Sequence, residues 1–218
     1  MIKLLFFIVV LTLPGLLLYL NIVHPEVRGG LVFSLFVIFV TVVKIWESFY
    51  TSKEKGVREY HGDWTLLLTS VLYFFTGLVI VFEFFNMNRE MNSYLTVIGL
   101  ITFLFAATLR YWSIKTLGDQ WAIHAIGPSQ LNHERVLVTT GPYKYVRHPI
   151  YLSYVLDLLG LTLALSTFYS LILVVTVNAP SYILRSKLEE RSSIKRLGDD
   201  YVKYKEKISF MFPRIFKQ

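Results

Sequence analysis

The chain contains no cysteine. That excludes disulfides, thiolate nucleophiles, Cys-ligated zinc or iron–sulfur centres, and a lipidated cysteine on the chain itself. Charge is also scarce. Asp, Glu, Lys and Arg make up 17% of residues against 54% hydrophobic ones, which puts the chain outside the soluble globular norm. The signature loops of many soluble enzymes are missing too: there is no GxGxxG, Walker loop, GxSxG or HExxH. A nucleotide-type cofactor would therefore not be held by a Rossmann turn. No repeat and no low-complexity tract divides the chain, so one membrane domain over residues 1–218 is expected.

What the chain does have is long apolar runs, at 4–23, 29–47, 64–85 and 93–112, each close to the roughly 20 residues that a spanning helix needs. The first is too long and too uniform for a signal-peptide core and is read as the first span. The run 150–184 would make one helix of about 50 Å, against a hydrocarbon core of about 30 Å. It must fold back, and Ser166-Thr167 is the best turn, leaving spans at 150–165 and 168–185. With six spans, Lys3, the 44–58 and 110–147 regions and everything from Arg185 onward share one face, leaving Arg28 and Arg89 on the other. This asymmetry predicts cytoplasmic termini. The expected fold is all-α: a polytopic helical bundle of about six transmembrane helices, with a closely spaced C-terminal hairpin and a cytoplasmic helical tail. The net charge of +7 then reflects positive-inside topology and anionic membrane lipid, not nucleic acid.

Polar chemistry gathers at the two ends of the last hairpin. Residues 135–138 read as a short extended piece and 139–142 as a turn. The run Gly-Pro-Tyr-Lys-Tyr-Val-Arg-His-Pro-Ile-Tyr at 141–151 follows. Pro149 suits the first turn of a helix, where its missing N–H costs nothing, and helix starts favour anions. Beyond the hairpin, Arg185 and Glu189 are four apart and share a helix face. The fold-back carries that face beside His148 and Tyr151. Taken alone, the same residues also read as a solvated helix end with a snorkelling arginine and an interfacial belt of Tyr143, Tyr145 and Tyr151. Asp157, about two turns into the fifth span, is costly there; a polar lining is expected, with pairing to Lys or Arg as the alternative. Asn178 and Pro180 are expected to kink the sixth span and satisfy freed backbone.

The string at 137–151, with Arg185-x-x-x-Glu189-Glu190 and Leu197-Gly-Asp-Asp-Tyr201-x-x-Tyr204 downstream, resembles the isoprenylcysteine carboxyl methyltransferase family. Related integral-membrane phospholipid methyltransferases look similar. The resemblance covers about 115–213. It implies a membrane methyltransferase using S-adenosyl-L-methionine in a cytoplasm-facing pocket, with four spans in 1–112 and the cofactor-binding catalytic part in 113–218. Carried over by position, Arg135, Val136, Leu137, Val138, Tyr143, His148, Pro149, Ile150 and Tyr151 belong to the cofactor stretch, and Glu189 contacts the cofactor. Arg185, with Glu190, stands on the catalytic, substrate side. Tyr201 and Tyr204 belong to a tail that closes over the pocket. No metal is implied. The implied partners are a lipophilic or prenylated acceptor, with a prenylcysteine carboxylate favoured, and membrane lipid.

Two departures stand out. The family's Val-Pro after the last tyrosine is Ile208-Ser209 here, which puts tail closure in question, and Gln120 to Pro128 aligns poorly in length, so no cofactor contact is carried over there. A sterol-type membrane reductase, similar around Arg-His-Pro-x-Tyr but binding a nicotinamide, and a non-enzymatic lipid or small-solute carrier are the rival readings.

Overall fold

A computed structural model describes residues 64–87, 91–118 and 136–213, with isolated positions at 15, 19, 22, 23 and 42. Those positions apart, the spans expected at 4–23 and 29–47, the 48–63 loop, Gln120 to Pro128 and Arg135 lie outside the described residues.

The helices are α1 (Trp64–Asn86), α2 (Ser93–Leu117), α3 (Pro149–Ala164), α4 (Phe168–Leu173), α5 (Ala179–Leu197) and α6 (Asp199–Lys207), with a 3-10 turn at Gly141–Lys144. A π-turn at Val174–Asn178 joins α4 and α5 into one helix, Phe168–Leu197. Among the described residues no strand ladder forms, only an isolated parallel bridge between Val146 and Ser209. Each of the four expected spans that falls on described residues corresponds to a helix. Three, α1, α2 and Phe168–Leu197, are long and apolar enough to cross a membrane, and α3 is a shorter apolar helix. Leu67, Val71, Phe75, Phe82, Ile101 and Phe105 stand exposed along α1 and α2. In water such a surface would be strongly unfavourable; against lipid it is the expected exterior.

The inner face of α1 is different, since Thr65, Thr69 and Thr76 are buried there. Ile80, Val81, Phe84 and Phe85 of α1 pack with Leu158, Leu165 and Val174 into the described core. α2 meets α3 through glycines. A Cβ on Gly160 would lie 2.7 Å from Phe103 N and 2.8 Å from Gly99 O, so the two backbones touch. Without a hydrophobic drive between helices in lipid, close approach at small residues supplies the packing.

The fold-back falls where it was expected. α3 stops at Ala164, Ser166 takes φ 55, and Thr167 N donates to Thr162 O at 2.9 Å. The start of α4 is capped from another helix: the carboxylate of Glu83 accepts from Tyr169 N (3.1 Å) and Ser170 N (2.8 Å). A carboxylate on orphan N–H groups complements the helix dipole. The irregularity expected in the last span is the π-turn ahead of Pro180. However, Asn178 Nδ2 donates to Thr76 Oγ1 at 2.6 Å, so this side chain ties α4/α5 to α1 rather than serving freed backbone.

Two expectations are corrected. α2 does not end near residue 112; it continues to Leu117 and carries Arg110, counted above with the basic loop, into a buried position. Asp157 is a partner and not a pocket lining. It accepts from Arg110 Nη2 at 2.6 Å and from the Tyr73 hydroxyl at 2.7 Å. An isolated charge at this depth would be prohibitive, and each of these two residues neutralises the other.

Candidate active site

Gly141 opens the motif with φ 56. A Cβ there would meet Thr116 Oγ1 at 2.5 Å, so glycine is required by both conformation and space. The 3-10 turn that follows buries Tyr143. Its hydroxyl is buried with no hydrogen-bond partner among the described residues. Burial first, and then the neighbouring Glu189 carboxylate, push this hydroxyl well above its ordinary range. Pro149 is the first residue of α3, with His148 as its cap, as the X-His-Pro spacing predicts.

The tail is docked. Arg147 N donates to Ser209 O at 2.9 Å and His148 N to Phe210 O at 3.2 Å. Ile208-Ser209 supplies backbone carbonyls at the point where the sequence departure put closure in question. Arg147 Nη1 donates to Lys205 O at 2.9 Å and also to Ile208 O. Tyr201 and Tyr204 are buried, and the Tyr204 hydroxyl donates to Tyr143 O at 2.7 Å. Burial pushes Tyr204 up to about 12.

Beyond Leu184 the last helix turns polar, and Glu190 stands on this extension. Its Oε1 accepts from Arg147 Nε at 2.7 Å and lies 3.1 Å from His148 Nε2, while Lys205 Nζ is 3.1 Å from Oε2. Burial opposes the charged form, but the three hydrogen bonds outweigh it and hold Glu190 at about 2, from 4.5. This carboxylate therefore ties three segments, 147–148, α5 and α6, to one another.

Arg185 is 2% exposed. It donates through Nε to the Tyr151 hydroxyl (3.0 Å) and through Nη1 to Thr65 Oγ1 (2.9 Å). Glu189, half-buried one turn on, also bears on the Tyr151 hydroxyl. Tyr151 stacks between His148 and Tyr182 at centroid distances of 5.8 and 6.1 Å. Tyr182 stacks in turn on Tyr154 at 5.6 Å, and Arg110 lies 4.5 Å above the Tyr154 ring. The aromatic column runs from the motif down to the Arg110–Asp157 pair.

Tyr143, His148, Pro149, Ile150, Tyr151, Arg185, Glu189, Glu190, Tyr201 and Tyr204 thus gather at one end of the bundle. Val136 to Val138 are not part of a ladder; they form irregular chain, with Val136 exposed. Sequence reasoning passed over Thr65, Arg147, Lys205, Arg110, Tyr154 and Tyr182. The buried threonines of α1 could have been found as a polar stripe on an apolar span. Lys205 had no such signal, because its contact depends on how the tail docks.

Fold and site together define an integral-membrane helical protein with polar and aromatic residues gathered at one end of the bundle, where the C-terminal tail docks. Residues 97–195, a little under half of the chain, match the sequence model of the isoprenylcysteine carboxyl methyltransferase (ICMT) family. It is 30% identical over 123 residues to the Protein-S-isoprenylcysteine O-methyltransferase of Xenopus laevis, covering 56% of this chain and 42% of that one. The protein of the same name in Saccharomyces cerevisiae is 25% identical over 194 residues, 84% of this chain and 80% of that one. A solved structure of the eukaryotic intramembrane Ras methyltransferase ICMT shares the fold, with a TM-score of 0.53 and 20% identity over 93% of this chain and 74% of that chain. The chain spans less than half the length of the Xenopus relative.

Proposed function

We propose that the chain is a membrane carboxyl O-methyltransferase that uses S-adenosyl-L-methionine to esterify a lipophilic acceptor, with a prenylcysteine-like carboxylate favoured. The observation that carries this reading is Arg185. It is a buried guanidinium held by two hydroxyls, beside a half-buried carboxylate and an aromatic wall. A planar cation in an apolar bundle recognises a planar anion.

The residues present fit the cofactor. The orphaned Tyr143 hydroxyl offers a hydrogen bond and Glu189 a carboxylate for an ammonium. Leu137 and Val138 offer apolar surface for an adenine. When bound, the cofactor supplies an electrophilic methyl group on a sulfonium. Arg185 orients the acceptor carboxylate, which is already ionised, so in-line positioning matters more than a general base. Tyr201 and Tyr204 exclude water by packing on the 141–151 segment. His148, Arg147 and Glu190 act as positioning residues, because their polar atoms are spent on one another and on the tail.

In this reading the protein has about six spans, a single domain with the catalytic part in 113–218, and both termini and the pocket on the cytoplasmic face. A lipophilic acceptor enters beside the short α3. The test is to incubate the detergent-purified full chain with methyl-labelled S-adenosylmethionine and a small prenylcysteine. A base-labile labelled ester is expected. Absence of both cofactor binding and label transfer would overturn the proposal, and tight NADPH binding instead would favour a reductase.

A further inference from the structure

A cleft of about 410 Å³ opens between the end of α5, α6 and residues Arg147 and Phe210. Its walls carry four cations, Arg147, Lys187, Arg191 and Lys205, and one carboxylate, Glu190. Glu190 is already engaged by Arg147, His148 and Lys205. Among the described residues Lys187 and Arg191 have no acidic partner. They stand at i and i+4 on one helix face, where like charges repel; an anion between them would relieve that repulsion.

The cleft shares the Arg147–Glu190–Lys205 cluster with the candidate active site but opens on a different face of α5. At roughly 100° per residue, Lys187 and Arg191 lie about half a turn round α5 from Arg185 and Glu189. The cleft is also at a definite depth. The apolar part of the helix ends at Leu184, and exposed Trp64 precedes Thr65, which bonds Arg185; an exposed tryptophan at a helix end suits the membrane interface. Lys187 and Arg191 then stand about 5 and 10 Å beyond the apolar stretch, and each headgroup layer is roughly 5–7 Å deep. Ile194 and Phe210 give the cleft apolar floor, and Phe212, two residues after Phe210 in sequence, is 71% exposed, suited to dip into an interface.

We propose that this cleft binds the phosphate headgroup of an anionic phospholipid, with Lys187 and Arg191 as its principal ligands and Lys205 and Arg147 at its rim. It is a site separate from the acceptor and cofactor pocket, and it does not depend on the methyltransferase reading. The neutral headgroup of phosphatidylcholine presents no net charge to it.

The test uses the full chain in nanodiscs of phosphatidylcholine with a minor fraction of phosphatidylglycerol, and reads retained lipid by native mass spectrometry. The wild type should hold phosphatidylglycerol over phosphatidylcholine, and the double substitution K187Q/R191Q should weaken that preference about thirtyfold, as loss of two cationic contacts at an anionic surface implies. K203Q/K207Q, on the opposite face of α6, should leave it unchanged, and added inorganic phosphate should not displace the lipid. All four lysine and arginine positions are exposed, so both double variants should fold; matched thermal unfolding checks this. No anionic preference in the wild type, equal loss in the two double variants, or no loss in K187Q/R191Q would each overturn the site. Ready displacement by inorganic phosphate would overturn the lipid as its occupant.

Discussion

Two ion-pair clusters, one inside the bundle and one where the helices leave it, are built from the same residue types and serve different ends. Arg110–Asp157 is closed: both side chains are at most 3% exposed, with Tyr73, Ser153 and the Tyr154 ring around it. Arg147–His148–Glu190–Lys205 is open on one side, since Lys205 is 44% exposed, and it joins segments distant in sequence. The inner pair sets the positions of α1, α2 and α3. The outer one holds a tail against a loop. Burial makes the first costly to break, whereas partial exposure makes the second responsive to conditions.

The largest effect should come from splitting the inner pair. Asp157→Ala leaves Arg110 buried without its counter-charge and should cost about 3–5 kcal/mol, visible as a large drop in Tm in detergent. The double change Asp157→Leu with Arg110→Leu should recover much of that loss, because apolar residues replace a buried pair at little cost. A small loss for the single change would show that the cluster is hydrated and that the contrast with the outer one fails.

Next is the pocket cation. Arg185→Ala should lower methyl transfer about 30-fold or more, the equivalent of about 2 kcal/mol for a charged hydrogen bond, while cofactor affinity changes little. Arg185→Lys should remain impaired, as an ammonium cannot reproduce the fork to Tyr151 and Thr65. Equal and negligible effects of both would return Arg185 to the role of a snorkelling residue.

The outer cluster should answer to pH. Glu190 is depressed from 4.5 to about 2, so its contribution is present above 4.5 and is lost as pH falls from there towards 2. Hydrogen exchange should show α6 and residues 208–211 loosening over that window ahead of α2 and α3. Simultaneous loosening would mean that the tail is held by something other than Glu190.

The smallest effect on stability should be that of Tyr143→Phe. Removing a buried hydroxyl without a partner is neutral or slightly stabilising, so Tm should hold or rise while cofactor affinity falls several-fold. A fall in Tm with unchanged affinity would show a structural role for the hydroxyl.

Much of this arrangement was legible beforehand. The hairpin turn at 166–167 followed from a run too long for one crossing, and the cap at His148 and start at Pro149 followed from proline's missing N–H. The meeting of the 141–151 motif with Arg185 and Glu189 followed from the two together. Asp157 was legible as an anomaly but not as a pair, because its partner Arg110 is 47 residues away on another helix and looked like part of a basic loop. The role of Glu190 was hidden for the same reason: its three partners come from two other segments.

By itself the sequence determined the membrane environment, the helix ends and the local motif geometry, since hydropathy, proline and glycine act within a few residues. Tertiary structure alone decided which charges became mates and which stayed open to a ligand. Burial and pairing depend on helices brought together from far apart in the chain, and no local pattern records that meeting.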